Sequence, residues 1–233
     1  MQYLNPAVEQ CFEGSSSIFK GLTQYDKETI AQHYTVNIIK KGDFLFKEGD
    51  RPRGLIYLAS GKVKLFKTGV GGRRQILKMV RPQDFIGYRA LYSDCVWSFS
   101  ATAIEESAIC IFDKGHLVKV IKKNADLGFK LIKLISDELW FAYERTMSLA
   151  QKHIRARLSE SLLVLRDTYG LDTDGKTIKV YLSREDIASL SNMTTSNCIR
   201  TLSIMASEGI IALEGRKIRI IKNNQLEQIS EQG

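Results

Sequence analysis

Apolar and polar positions follow two different periods along this chain. Between Tyr34 and Phe112 the apolar residues fall in short runs: "YTVNIIK", "DFLFKEG", "GLIYLAS", "KVKLFKTG", "RQILKMV", "DFIG" and "SATAIEESAICIF". Corners containing glycine separate many of them, among them "KKGD", "KEGDRPRG", "ASGK" and "TGVGGRR". Many short strands with regular turn signals predict an antiparallel barrel or sandwich. "GVGGRR" lies between two strand-like runs and opens no helix, so it reads as a hairpin turn rather than a phosphate loop. Residues 1–33 read as helical and irregular, with a short helix starting near Thr23 and acidic residues in its early turns.

After Asp113 the period becomes helical. In "ADLGFKLIKLISDELWFAYERTMSLAQKH", Gly128, Ile132, Ile135, Leu139, Ala142, Thr146 and Leu149 recur at alternating spacings of four and three, a heptad seam. Leu127, Leu131, Leu134 and Phe141 form a second stripe on an adjoining face. A helix with two apolar faces needs two partners. One is the strand domain of its own chain. The other is most simply the same helix of a second subunit, because no other long heptad helix exists in the sequence. Ile132, Ile135, Leu139, Ala142, Thr146 and Leu149 are therefore the expected dimer contacts. Polar "QKH" at 151–153 interrupts the stripe, and a new helix, "IRARLSESLLVLRDTYG", runs to Gly170. The expected division is residues 1–124, a long helix and hinge at 125–152, and a C-terminal domain at 153–233. A strand-like "TIKVYL", two helices and the hairpin "GIIALEGRKIRIIK" fill the last part.

The two helices carry the clearest signal. In "LSREDIASLSNMTTSNCIRTLSIMASEGII", Ser183 followed by Asp186 resembles a capping box. Ile187 and Leu190 would face inward, Asn192 tolerates a left-handed turn, and Thr194 or Thr195 caps a second helix. That helix would turn Cys198, Ile199, Leu202 and Met205 to the core and close at Gly209. Two short helices about four residues apart make a helix-turn-helix, and a hairpin turning at "EGRK" supplies a wing. The outer face of the second helix carries Thr195, Ser196, Asn197, Arg200, Thr201 and Ser203. A merely solvated face favours Lys and Glu, which are better helix formers. Short hydrogen-bonding residues with one Arg suit bases and phosphates instead.

Composition adjusts this picture only slightly. The net charge of +8 suits a polyanion partner. Yet residues 151–233 hold 12 basic and 10 acidic side chains, so local placement rather than global charge must carry the argument. No apolar run approaches the roughly 20 residues of a membrane span. "MQYLNPAVEQ" lacks the order of a secretion signal, so a cytoplasmic protein with no membrane partner is expected. Cys11, Cys95, Cys110 and Cys198 are far apart and most read as small buried residues, with no metal site. No HExxH, GxSxG or phosphate-loop motif is present, so no enzyme is expected.

Together these motifs resemble the cyclic-AMP receptor protein and fumarate-nitrate regulator family of bacterial transcription regulators, from about residue 15 to 222. The match includes the Gly-cornered strands, the long helix, "IRARLSESLLVL" and "LSREDIASLS…IRTLSIMASEGII". The resemblance implies an α+β fold. It has an N-terminal antiparallel β-roll of jelly-roll type, a long dimerisation helix and a C-terminal winged helix-turn-helix. It implies a homodimer on palindromic double-stranded DNA, and leaves RNA polymerase open as a further partner. Ser183, Thr194, Thr195, Ser196, Asn197, Arg200, Lys217 and Arg219 are the implied DNA contacts. Arg200 matches the Arg that commonly reads a guanine, and Ser196 stands where many relatives carry a base-reading Glu.

Cyclic-nucleotide-binding relatives carry a cassette close to "FIGELxLF…RSA", whose Glu takes the ribose and whose Arg pairs with the phosphate. Here "FIGYRALY" puts Tyr88 at the Glu position and "WSFSA" puts Trp97 at the Arg position. Gly87, Tyr88, Arg89, Ala90, Trp97 and Ser98, with Ala142 and Tyr143 on the long helix, thus mark a degenerate pocket. Trp cannot replace a bidentate Arg–phosphate pair. Three readings follow. Tyr88 and Trp97 fill the pocket; or it takes another effector with Arg89, Arg73, Arg74 or Lys78 supplying charge; or the sensor is haem or redox-active. For haem, His33, His116, His153 and the cysteines are the candidate ligands. An iron–sulfur centre is excluded, because only Cys11 lies near the N-terminus. A reading head turned into a protein-interaction surface is the alternative to DNA.

Overall fold

A computed structural model describes residues 6–14, 17–93 and 95–232. The chain separates into two compact units, Met1–Lys67 with Val80–Trp140, and Thr68–Met79 with Phe141–Gly233.

The first unit begins with helices α1 (Pro6–Glu13) and α2 (Gln24–Ala31). The Thr23 hydroxyl caps α2, accepting from the Asp26 N–H. The strands then follow the glycine corners: β1 (Tyr34–Ile39), β2 (Phe44–Phe46), β3 (Gly54–Ser60), β4 (Val63–Thr68), β5 (Arg74–Val80) and β6 (Phe85–Ile86). A single-turn helix α3 (Tyr88–Tyr92), β7 (Ser100–Ala103), β8 (Ser107–Asp113) and α4 (Lys114–Lys123) complete it. The run "SATAIEESAICIF" is thus two strands rather than one, parted by Ile104–Glu106 where each joins a different sheet. One sheet runs β1-β8-β3-β6 and the other β2-β7-β4-β5, and the pairs resolved in register are antiparallel. Phe46, Ile56, Leu58, Val63, Leu65, Ile86, Ala101 and Ile109 form a buried cluster with Trp97. A second cluster joins Tyr57, Phe85 and Phe112 of the strands to Phe12, Phe19, Leu117, Leu127 and Leu131 of the helices. Of the predicted second stripe of α5 (Ala125–Gln151), Leu127 and Leu131 are buried, at 1% and 0% exposure, while Leu134 and Phe141 are half-buried.

In the second unit, the leg of the β4–β5 hairpin lies along helix α7 (Arg184–Leu190). The Ile76 N–H donates to Ser189 Oγ at 2.9 Å, and Ser189 Oγ donates to the Arg74 carbonyl at 2.8 Å. Gln75 Nε2 reaches the Ser189 carbonyl at 2.7 Å. Helix α6 (Ile154–Tyr169) ends at Gly170 with φ 76°, as predicted. Its Glu160 accepts from Lys152 Nζ at 3.2 Å and from the Ser148 hydroxyl, and lies 4.0 Å from Arg145 Nη1. Arg145 is 14% exposed and its Nη2 is buried without a hydrogen-bond partner. Burial and the charge of Arg157 both push the Arg145 guanidinium down, while Glu160 pushes it up. "TIKVYL" is no strand: Thr177 and Ile178 make only isolated bridges. The unit closes with α8 (Thr195–Ser207), the hairpin β9 (Ile211–Glu214) and β10 (Lys217–Ile220), and a helix α9 (Asn223–Glu231) that packs on α6.

Candidate DNA interface and effector region

The sequence dictates the local geometry of the two-helix element through its caps. The Ser183 hydroxyl accepts from the Asp186 N–H at 3.0 Å and starts α7. Between the helices Asn192 takes φ 49°, the left-handed conformation its short polar side chain tolerates. The Thr194 hydroxyl, rather than that of Thr195, caps α8 by accepting from the Asn197 N–H at 3.2 Å. Ile187, Leu190, Cys198, Leu202 and Met205 are buried at 4% or less. Ile199 is not: it is 48% exposed. At 100° per residue it lies at the edge of the apolar stripe, where period alone does not settle the side. Gly209, with φ 67°, follows the last turn.

Thr195, Ser196 and Arg200 are exposed on the outer face of α8, and Asn197 is half-buried. Arg200 Nη2 donates to Asn197 Oδ1 at 3.2 Å, so the guanidinium is oriented before any partner arrives. On the wing Lys217 is exposed, while Arg219 Nε lies 3.5 Å from Asp174 Oδ2. Two backbone N–H groups and the Thr177 hydroxyl hold the Asp174 carboxyl down to about 2, with Arg219 adding a smaller share. Arg184, which pattern reading passed over, donates to the Gly215 carbonyl at 2.8 Å and fastens the wing turn to α7. Arg155 forks onto Glu208, tying the start of α6 to the end of α8.

The effector region departs from a ligand cradle in one specific way. Gly87 takes φ 96°, and a Cβ there would overlap the Trp97 ring. Trp97 is 6% exposed and stacks on Phe46 with centroids 3.9 Å apart and planes at 15°. Phe99 closes the group at 6.0 Å from Trp97. The Trp97 N–H and carbonyl are tied to Asp50 and Gly49 at 2.9 and 2.8 Å. Tyr88 goes elsewhere: it packs against the helix-side cluster, and burial, with the carboxylates of Glu138 and Asp84, pushes its phenol up. Arg89 is exposed with Nη2 3.2 Å from Cys95 Sγ, and Ser98 and Tyr143 are exposed. Ala90 belongs to α3, and its side chain lies outside the described residues. Arg73, Arg74 and Lys78 belong to the second unit, where Arg73 Nη2 donates to Asn192 Oδ1 at 3.2 Å. His33 and His116 stack with centroids 3.4 Å apart, in van der Waals contact, which leaves no room for a haem between them. His153 is the residue before α6. Cys11, Cys110 and Cys198 are buried, and burial raises each thiol. Among the described residues no group of three or more His, Cys, Asp or Glu could hold a metal ion, and no helix is long and apolar enough to cross a membrane.

Residues 37–124 match the family description "Cyclic nucleotide-binding domain", and residues 156–229 match "Crp-like helix-turn-helix domain". The two matches together cover more than half of the chain. It belongs to the Crp/Fnr family of transcription regulators. Among relatives, the cyclic AMP receptor protein of Thermus thermophilus is 24% identical over 216 residues, covering 92% of this chain and 97% of its own. Electron transport regulator A of Shewanella oneidensis is 26% identical over 189 residues, covering 81% and 75%. FixK2 from Bradyrhizobium japonicum shares the fold, with a TM-score of 0.74 at 24% identity over 84% of this chain and 96% of its own.

In this Crp/Fnr chain the long helix α5 carries an apolar face wider than the heptad seam. Ile132, Ile135 and Leu139 are 59%, 38% and 51% exposed, Ala142 and Thr146 are exposed, and Leu149 is half-buried. Phe129, Trp140, Tyr143 and Met147 extend that face at 71%, 65%, 58% and 52%. Strict three-and-four spacing missed Phe129, Trp140 and Met147. They flank the seam rather than lying on it.

Proposed function

We propose that the protein is a homodimeric, sequence-specific DNA-binding regulator whose β-roll does not respond to cyclic nucleotides. The observation that carries the DNA reading is the outer face of α8, where Thr195, Ser196 and an Arg200 oriented by Asn197 are exposed on a helix that contains no acidic residue. Arg200 donates two parallel hydrogen bonds to guanine O6 and N7 in each half-site. Thr194 and Ser183 act through their caps, and Lys217, with Arg219, contacts phosphate. The division of labour follows residues 1–124, 125–152 and 153–233. The exposed face of α5 pairs with the same face of a second copy around a twofold axis, which places two reading helices about 34 Å apart on a palindromic site. RNA polymerase is the further partner if the regulator activates. The insensitivity to cyclic nucleotide rests on Trp97, which occupies the interior of the roll where a phosphate would need a cation.

The test is selection of bound duplexes from random sequence, followed by binding to single-base variants of the selected site. Arg200→Ala costs roughly 1–3 kcal/mol and relaxes preference at one symmetric base pair. Lys217→Ala weakens all variants alike and reduces the salt slope. An Arg200→Ala loss spread equally over every variant makes Arg200 a phosphate clamp and sinks its assignment as a reader.

A further inference from the structure

We infer that Ile199 reads the methyl group of a thymine in each half-site, which rests on the DNA-binding reading above and adds a base to it. Ile199 is 48% exposed, while Cys198 and Leu202 beside it are fully buried. It adds little to the core, and a β-branched residue is a poorer helix former than the Lys, Glu or Ala that suits a solvated site. Its outward neighbours Thr195, Ser196 and Ser203 are all short, so the isoleucine side chain reaches beyond them. The N-terminal part of a reading helix meets base edges, and Ile199 lies there, within the first five residues of α8. Of the groups the major groove presents, the thymine C5-methyl is the apolar one, and it is met by apolar side chains. Arg200 is the next residue, and consecutive Cα atoms are about 3.8 Å apart, close to the roughly 3.4 Å rise of a base step. The thymine therefore lies within one or two base pairs of the guanine that Arg200 reads. Ile204, 45% exposed on the C-terminal half of the same helix, lies beyond the stretch that meets base edges and serves as the control.

Deoxyuridine removes this methyl and leaves every hydrogen-bonding group of thymine in place. The experiment takes a selected duplex and replaces each thymine of the half-site in turn, at both symmetric positions, by deoxyuridine. With the full-length protein, one position loses affinity by about fifteenfold, the effect of two methyl groups at the transfer free energy of a buried methylene. Ile199→Ala binds the thymine and uracil duplexes equally. Ile204→Ala keeps the discrimination. Helix content measured by circular dichroism stays unchanged in Ile199→Ala, because alanine is the better helix former. Wild-type protein indifferent to uracil at every position overturns the inference, as does an Ile199→Ala variant that still discriminates. In either case tight duplex binding persists and the DNA-binding reading stands. Absence of binding to any selected duplex overturns that reading and this one together.

Discussion

Truncating Trp97 to alanine tests whether an aromatic plug, rather than a ligand, completes the β-roll. The ring is 6% exposed, stacked on Phe46 at 3.9 Å and flanked by Phe99 at 6.0 Å. Large-to-small truncation of a buried Trp costs about 3–5 kcal/mol, since the apolar transfer is lost and a cavity remains. The lost stacking with Phe46 falls within that figure, as aromatic pairs contribute roughly 0.5–1.5 kcal/mol beyond area. At about 2–4 °C per kcal/mol for a chain of this size, the melting midpoint falls by roughly 10 °C. The backbone ties from the loop to Gly49 and Asp50 remain, so the cavity keeps its walls. Indole added to Trp97→Ala then regains part of the stability, because a preformed apolar cavity binds an apolar ligand of matching shape. Scanning calorimetry with and without indole reads both effects. Millimolar cyclic AMP leaves the wild-type midpoint unmoved, since a ligand stabilises only the state it binds. A Trp97→Ala protein within about 1 kcal/mol of the wild type shows that the ring is not packed as described. A wild-type midpoint raised by cyclic AMP refutes the plug.

Two further outcomes follow from geometry. Ile135→Asp with Leu139→Asp puts four carboxylates at the α5 face of a dimer; each half-exposed side chain there gives up about 1 kcal/mol of burial and the charges add repulsion, so sedimentation shows a monomer with weakened operator binding, while a persisting dimer places the interface elsewhere. Asp174 titrates near 2 when folded, below its ordinary 3.8, so its stabilisation is present above about pH 4 and is lost as pH falls through the folded value; in acid titrations followed by circular dichroism, Asp174→Asn is less stable than wild type at neutral pH and the two converge below pH 2, whereas a constant gap shows that the carboxylate charge is irrelevant.

The reading head was legible because caps and apolar period agreed at each end. Thr194, Asn192, Cys198 and Leu202 all specify the same two helices. The strands from β1 to β5 were legible because glycine corners part those runs, whereas β7 and β8 read as one run because Ile104–Glu106 between them holds no glycine. Ile199 misled because it sits at the border of the stripe, where packing against the rest of the unit decides which way it points. Helix α9 left almost no trace: Leu226 is its one buried large apolar side chain, and its hold on α6 includes the Arg166–Glu227 pair, a tertiary contact with no local pattern. "TIKVYL" has the composition of a strand but finds only single bridges to pair with, since strand formation needs a partner that composition does not reveal. The split of the cassette, Trp97 to the roll interior and Tyr88 to the helix side, depends on tertiary packing around Gly87 and could not be read from residue types.

Glu160 carries a consequence for how this chain can drift. One carboxylate serves Lys152 and the Ser148 hydroxyl and is the anion nearest Arg145, with Arg157 adding positive charge beside it. Losing Glu160 alone strands a mostly buried guanidinium without its counter-charge, whereas losing it together with Arg145 removes the conflict. A lineage that loses Glu160 without cost must therefore have lost Arg145 first. Substitutions at the two positions are epistatic, and their fates are tied although they lie on different helices.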